Sequence, residues 1–161
     1  MAKILLVSLT TLKQEYLIDD NIDDKYLLSN IIKGQDFIVH PLLGDAKWLE
    51  ITTQIDTDTV SEANATLIKD FIQPLLGYYV MSEVVYATAY KLKNAPEYQT
   101  NPNSDRFNEL VRISKKYLID SQHYEQILRE YMCDNSIPRG IDDTFRCSIY
   151  LGPTKQCNNR G

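Results

Sequence analysis

The first half of the chain carries apolar residues at the three-to-four spacing of an amphipathic helix, starting after the acidic stretch DDNIDD at residues 19–24. Asp23 and Asp24 suit a helix start, where the helix dipole is positive. Gly44 suits the end of this helix, and Pro41 should loosen its last turn. The apolar face comprises Leu28, Ile31, Ile32, Gln35, Ile38, Val39 and Leu42. Upstream, LTTLKQEYL is predicted to hold one helical turn.

A polar linker is predicted over residues 45–59, followed by a second helix from residue 60 to about Lys93. Ser61 is the expected N-cap of that helix, because its hydroxyl can accept from a free backbone N–H in the first turn. The apolar anchors of the linker are Trp48, Leu49 and Ile51.

The second helix contains Pro74 and Gly77 in its middle. Proline has no backbone N–H, and its ring clashes with the carbonyl four residues earlier, so the helix should kink or restart at Pro74. Gly77 lowers helix propensity but permits the close approach of a neighbouring segment. Both residues are therefore predicted to define a helix kink.

A third helix is predicted from Ser104 and Asp105 to about Cys133, after a loop rich in Asn and Pro. Ser114 and Ser121 lie seven apart on its apolar stripe, where small side chains would let another helix approach closely. The larger residues of the stripe are Phe107, Leu110, Val111, Tyr117, Leu118, Tyr124, Leu128 and Tyr131.

Beyond residue 133 the helical pattern fails, and TFRCSIYL at 144–151 alternates as a strand or hairpin arm would. The fold class that follows is mainly α, a three- to four-helix bundle with a kinked central helix and extended N- and C-terminal arms. We divide the chain into an N-terminal arm at 1–9, a helical bundle domain at 10–133 and a C-terminal arm or hairpin at 134–161.

The later part of the second helix is apolar on almost every side, since twelve of the sixteen residues at 75–90 are aliphatic, aromatic or alanine. Such a helix is normally buried all round. Either the terminal arms fold back over it, or another chain covers the remaining side. We predict the second arrangement, in which Tyr79, Val80, Val84 and Tyr86 are not all buried within one subunit.

Composition narrows the function without naming one. The formal net charge of −5 and the pI near 5.0 argue against a generic duplex-binding domain. Three cysteines without a CxxC pair are expected to be reduced thiols. No secretory leader or membrane span is recognised in the sequence. Eleven tyrosines fit either a Tyr-rich core or protein interfaces.

No catalytic, cofactor or metal site is predicted. His40 and His123 are the only histidines, and neither belongs to a metal-binding spacing. The acidic stretch at 19–24 fails as a calcium loop, which needs a glycine at its sixth position. One cationic cluster remains on the third helix and comprises Arg106, Arg112, Lys115 and Lys116. It is interpreted as a solvated face, with a DNA-binding regulator or an enzyme with an unrecognised site as alternatives.

The order of the predicted elements resembles that of a known class of proteins. A first helix ending in PLLG is followed by a polar link, a helix with internal IQPLLGYYV, and a third amphipathic helix. It is similar to the head–tail connector (adaptor, neck ring) proteins of tailed bacteriophages, in particular those of phages of gut Bacteroides such as the crAss-like group. The resemblance covers roughly residues 10–135.

The resemblance implies a non-enzymatic structural virion protein, located in the virion neck after assembly in the host cytoplasm. Its expected partners are further copies in a ring, commonly a dodecamer, the portal protein, and downstream neck or tail proteins. DNA would only pass through the channel, and neither a cofactor nor a membrane is expected. The expected interface residues are Tyr78, Tyr79, Tyr86, Tyr90, Trp48, Phe145, Ile149 and Tyr150.

Overall fold

The structure, a computed structural model, describes residues 4–16, 22–93, 105–135 and 137, and it contains no strand among them. Two π-helical segments, Gln35–Val39 and Leu67–Ile72, join α2 to α3 and α4 to α5. The α-helices are α1 (Leu9–Tyr16), α2 (Asp24–Gly34), α3 (His40–Asp56), α4 (Glu62–Thr66), α5 (Gln73–Lys93) and α6 (Asp105–Asp134). The prediction of a mainly α helical bundle is confirmed.

The first predicted helix begins and ends where its capping residues indicate. The carboxylate of Asp23 accepts from the backbone N–H of Lys25 at 2.9 Å. At the other end, Gly44 has φ 76° and ψ 162°, a conformation that residues with a Cβ rarely adopt, and the helical path breaks there. The predicted stop at Gly44 is therefore confirmed as a sharp change in chain direction.

The prediction of a polar linker at 45–59 is wrong, because helix α3 continues to Asp56 after the break. Ile51 is fully buried, and Trp48 and Ile55 pack against the core, so this helix has an apolar face although it also contains two threonines and two aspartates. These residues have modest helix propensity, which the burial of one face overrides. A short turn at Asp58, with φ 53°, leads into α4.

The second predicted helix also has the expected start, since the hydroxyl of Ser61 accepts from the backbone N–H of Asn64 at 3.3 Å. Its irregularity lies directly before Pro74, where the segment Leu67–Ile72 widens into a π-helix. There the N–H of Gln73 donates to the carbonyl of Ile68, five residues earlier. A widened turn is a recognised cause of helix kinks.

A π-helical segment precedes each of the two PLLG stretches. The π-helical segment Gln35–Val39 precedes Pro41 as Leu67–Ile72 precedes Pro74, with one residue between segment and proline in both cases. The N–H of His40 donates five residues back, to Gln35. Each proline therefore follows a turn that is wider than an α-helix, which makes room for its ring.

The N-terminal segment before α1 is held to the bundle by two glutamine side chains. Gln35 accepts from the N–H of Leu6 at 2.9 Å and donates to the carbonyl of Ile4 at 3.0 Å. Gln73 donates to the carbonyl of Leu6 at 3.0 Å. Leu6 and Val7 are buried. The predicted N-terminal arm thus packs back onto its own core, and α1 begins at Leu9 with two turns instead of the one predicted.

Helices α5 and α6 pack antiparallel and closely, as the small residues on α6 predict. The hydroxyl of Ser114 donates to the carbonyl of Ser82 at 2.9 Å, and that of Ser121 donates to the carbonyl of Leu75 at 3.1 Å. Both serines are buried. The prediction that these two positions allow close helix approach is confirmed.

Candidate interaction surface

A cluster of four tyrosines lies where α1, α5 and α6 meet. The ring of Tyr78 stacks on that of Tyr124 with centroids 5.4 Å apart, lies 6.3 Å from Tyr117, and meets the ring of Tyr16 edge-on at 5.4 Å. Burial, together with its tyrosine neighbours, raises the pKa of Tyr16 well above the ordinary tyrosine range. Burial also raises the pKa of Tyr78. The cluster holds α1 against the α5–α6 pair.

Gly77 makes room for this contact. A Cβ at Gly77 would overlap the ring of Tyr16, whose hydroxyl reaches the carbonyl of Pro74 at 3.4 Å. The residue predicted to permit close approach therefore does so, and the neighbour that approaches is α1 of the same chain.

A second stripe on α5 comprises Tyr79, Glu83, Tyr86 and Tyr90, which the spacing 4–3–4 places on one side of the helix. Helix α2 covers the first half of the stripe. A Cβ at Gly34 would press against Tyr79, and the hydroxyl of Tyr26 donates to the backbone carbonyl of Glu83 at 3.0 Å. The Glu83 carboxylate pairs with Lys33 at 3.1 Å, which raises the pKa of that lysine.

The second half of the stripe extends beyond the part that α2 covers. Tyr86 and Tyr90 are 55% and 58% exposed, although they continue the side of α5 that is packed below them. We call this pair the tyrosine surface. Each ring offers large contact area with a polar tip, a combination that is common at protein interfaces.

The four residues predicted not to be buried together within one subunit divide here. Tyr79, Val80 and Val84 are buried within the single chain, and Tyr86 is not. The prediction that not all four are buried is confirmed, and the exposed residue is the one nearest the end of α5. The fold-back alternative applies to part of the helix, because α1 and the N-terminal segment of the same chain pack against its first half.

Helix α6 presents a further exposed face. Leu118 and Ile119 are solvent-accessible, Ile119 to 63%, although the sequence pattern placed Leu118 on the buried stripe. Arg112, Lys115 and Lys116 are exposed on the same helix. The cationic cluster is therefore on the surface, as predicted, and it adjoins an exposed apolar residue.

Trp48 lies at the corner that the Gly44 break creates. Its ring stacks on the ring of His40 at 4.9 Å, and the His40 Nε2 is 2.9 Å from the Asp45 carboxylate. Trp48 is half-buried, whereas Leu49 beside it is exposed. Of the other predicted interface residues, Tyr78 is partly buried in the tyrosine cluster.

Three of the predicted interface residues lie near the C-terminus, outside the part of the chain that the structure describes. They are Phe145, Ile149 and Tyr150.

The expectation that all cysteines are reduced is wrong for Cys133, which is disulfide-bonded. Rules based on local spacing find neighbouring pairs, whereas a disulfide joins cysteines that the fold brings together.

Two glutamine side chains hold the N-terminal segment against the bundle, a role that the sequence pattern does not indicate. The sequence pattern places Gln35 on an apolar face and predicts no role for Gln73, yet both side chains bind the backbone of the N-terminal segment. For Gln35 the sequence offers one signal, a glutamine at a position of the apolar stripe, since a buried amide requires hydrogen-bond partners. By contrast, the side-chain nitrogen of Asn30 is buried on α2 with no hydrogen-bond partner.

Among the described residues no group of His, Cys, Asp and Glu side chains is arranged to hold a metal ion. His123 is exposed on α6, and its ring meets the ring of Tyr124 edge-on. None of the helices in the described ranges is both long and apolar enough to cross a membrane.

Comparison with known proteins gives one family. Searches among curated proteins and among solved structures yield no significant match. The model of a family of unknown function, DUF6712, matches residues 39–139, more than half of the chain. The match begins at Val39 and includes both PLLG stretches and helices α3 to α6. The chain belongs to the family of unknown function DUF6712.

Proposed function

We propose that the chain is a structural virion protein, a head–tail connector ring subunit that docks on the portal and extends the DNA channel toward the tail. The fold supports this proposal because the described residues form a mainly α-helical bundle with an irregular central helix, as the resemblance to phage connectors implies. The polar link, which is part of the order that carries the resemblance, is helical in the structure. Most of the C-terminal residues expected to form an arm lie outside the described part.

The observation that carries the proposal is the tyrosine surface. Tyr86 and Tyr90 are more than half exposed on a side of α5 that is otherwise packed. In a ring, a different face of the next subunit would cover them, because ring contacts are heterologous. Burying two tyrosines at such a contact removes a large apolar area from water while their hydroxyls remain available for hydrogen bonds.

The proposed partners follow from the same resemblance. They are identical subunits in a ring, expected to be a dodecamer, the portal above, and neck or tail proteins below. The net charge of −5 suits a channel that lets DNA pass without holding it, since phosphate binding requires excess cationic side chains. The proposed location is the neck of the virion, reached after assembly in the host cytoplasm.

The experiment pairs the double substitution Tyr86→Ser/Tyr90→Ser with the matched control Tyr86→Phe/Tyr90→Phe. Each protein is mixed with purified portal rings from the same phage and followed by sedimentation velocity. We expect the native chain and the Phe control to bind the portal as a ring. The Ser variant should remain monomeric in sedimentation velocity while circular dichroism shows that it is folded. Equal behaviour of all three proteins, or a native chain that ignores the portal, would contradict the proposal.

A second candidate, a DNA-binding protein, is favoured by the exposed cations Arg112, Lys115 and Lys116 on α6. Such a protein would bind duplex DNA with an affinity that falls steeply with salt, as counterions are released. Fluorescence anisotropy with a labelled duplex at physiological ionic strength tests it, using Lys115→Glu/Lys116→Glu as the comparison. Absence of binding by the native chain removes this candidate.

A further inference from the structure

The helical run that contains α5 has ends of opposite charge. From Glu62 to Lys93 the helix is continuous through α4, the π-helical segment and α5. At about 1.5 Å per residue this run measures roughly 45 Å along its path. The residues around its two ends are therefore well separated on the molecule.

The start of the run is acidic. Residues 56–62 contain three carboxylates and no lysine or arginine. Asp56, Asp58 and Glu62 are all exposed, and Val60 among them is 37% exposed. None of the three carboxylates forms an ion pair within the described ranges. We call these four residues the acidic end.

The other end of the run is basic and aromatic. The bonds from Ser121 to Leu75 and from Ser114 to Ser82 show that α6 runs antiparallel to α5, so the first turns of α6 lie beside the last turns of α5. We call the resulting surface the basic end, and its members are Tyr86, Tyr90, Lys91, Arg106 and Arg112.

The cations of the basic end are available for a partner. Lys91, Arg106 and Arg112 are exposed, and in the described part of the chain none of them pairs with a carboxylate. Residues 105–116 carry four cationic side chains against the two carboxylates of Asp105 and Glu109. This stretch is therefore net positive within a protein of net negative charge.

We infer that the basic end of one copy binds the acidic end of a second copy. Each end joins exposed apolar surface to one sign of charge, and the two signs are complementary within the same sequence. A second copy of the chain is therefore the partner that this pair of surfaces fits. The contact is heterologous and repeats from copy to copy, so it gives a closed ring when the rotation closes. This inference rests on the proposed connector function and names the surfaces that would join its subunits.

Two variants test the contact by making both ends of a molecule alike. In Arg106→Glu/Arg112→Glu both ends are acidic, and in Asp56→Lys/Glu62→Lys both are basic. Each variant alone should associate at least about tenfold more weakly than the native chain, because like charges then face each other across the contact. An equimolar mixture of the two variants should regain assembly, since opposite ends meet again.

The readout is native mass spectrometry combined with sedimentation velocity at low and high salt, after urea unfolding has shown that each variant is folded. The native assembly should weaken as salt rises, because exposed charges are screened over about 8 Å at physiological ionic strength. Restored assembly in the mixture alone is a result that a merely destabilised variant cannot produce.

Several outcomes would overturn the inference and are distinguishable from failure of the connector proposal. If either variant alone assembles like the native chain, the ends do not form the contact, whereas a connector ring remains possible. If the mixture stays dissociated while the native chain assembles, complementarity is refuted. If Arg106→Glu/Arg112→Glu assembles normally and loses only duplex binding, the basic end is a nucleic-acid surface. A native chain that stays monomeric beside the portal removes both proposals.

Discussion

Individual residues explain why α1 is attached to this bundle at all. An eight-residue helix is marginal on its own, so its position depends on tertiary contacts. Leu12 is fully buried, and Tyr16 fits the space that the missing side chain of Gly77 leaves. Lys13 adds an ion pair to Asp24 at 2.7 Å. The attachment thus combines one apolar side chain, one glycine notch and one surface ion pair.

The substitution Gly77→Ala should lower the free energy of unfolding by about 1–3 kcal/mol, because its Cβ overlaps the ring of Tyr16. In a Tyr16→Ala background the same change should cost nothing or stabilise the helix, since alanine is favoured over glycine by roughly 1 kcal/mol. Urea unfolding of the four proteins of this double-mutant cycle measures the difference. An equal loss of unfolding free energy in both backgrounds would show that Gly77 does not make room for the ring of Tyr16.

Tyr16 should also make the stability fall in alkaline solution. Burial raises its pKa above the ordinary value of 10.0, so the folded state retains a proton that the unfolded state releases near that pH. Its contribution is therefore fully present below about pH 10 and is lost as the pH rises further. Urea unfolding between pH 8 and pH 10.5 should show a shallower decline for Tyr16→Phe. An identical decline of the unfolding free energy with pH in both proteins would show that ionisation of Tyr16 does not contribute to it.

At the scale of elements, capping and spacing were informative, and composition misled. Asp23, Ser61 and the Ser114–Ser121 pair act as their local chemistry indicates. The polar composition of residues 52–59, four threonines and two aspartates, predicts a linker where the structure has the end of helix α3. Its burial depends on the change of direction at Gly44, which no local pattern contains. The π-helical segments were likewise unpredictable beyond the expectation of an irregularity at the prolines.

The substitution Ser121→Val should destabilise the protein by about 1–3 kcal/mol, because a larger side chain forces apart α5 and α6 and removes the hydrogen bond to Leu75. Gln122→Val is the control, since it introduces the same β-branched side chain one residue along the same helix, at an exposed position. The control should stay within about 0.5 kcal/mol of the native protein in urea unfolding. Similar losses at both positions would contradict the close packing.

The N-terminal segment should detach when its glutamine partner is removed. Gln35→Leu leaves the N–H of Leu6 and the carbonyl of Ile4 without their bonds, which should cost about 1–3 kcal/mol. Hydrogen exchange should then show loss of protection at the Leu6 amide while α6 is unchanged. Retained protection at Leu6 would mean that burial of Leu6 and Val7 alone holds the segment.

At the scale of the whole molecule, the sequence pattern predicts the helical bundle but overestimates how much of α5 one chain leaves exposed. An almost continuously apolar helix can be covered within one chain when α1, α2, α6 and an N-terminal segment all pack against it. That arrangement depends on long-range contacts, such as the one from Gln73 to Leu6, which periodicity does not reveal. What remains uncovered is small, aromatic and located at one end of α5.

The mass of the purified assembly tests the central claim, that this chain functions as a ring of identical subunits, most directly. Native mass spectrometry of the native chain, alone and with purified portal, should give a discrete species whose mass is a whole multiple of the 18.6 kDa subunit, with twelve copies expected from the resemblance. A protein that remains at 18.6 kDa at every concentration, with and without the portal, would contradict it.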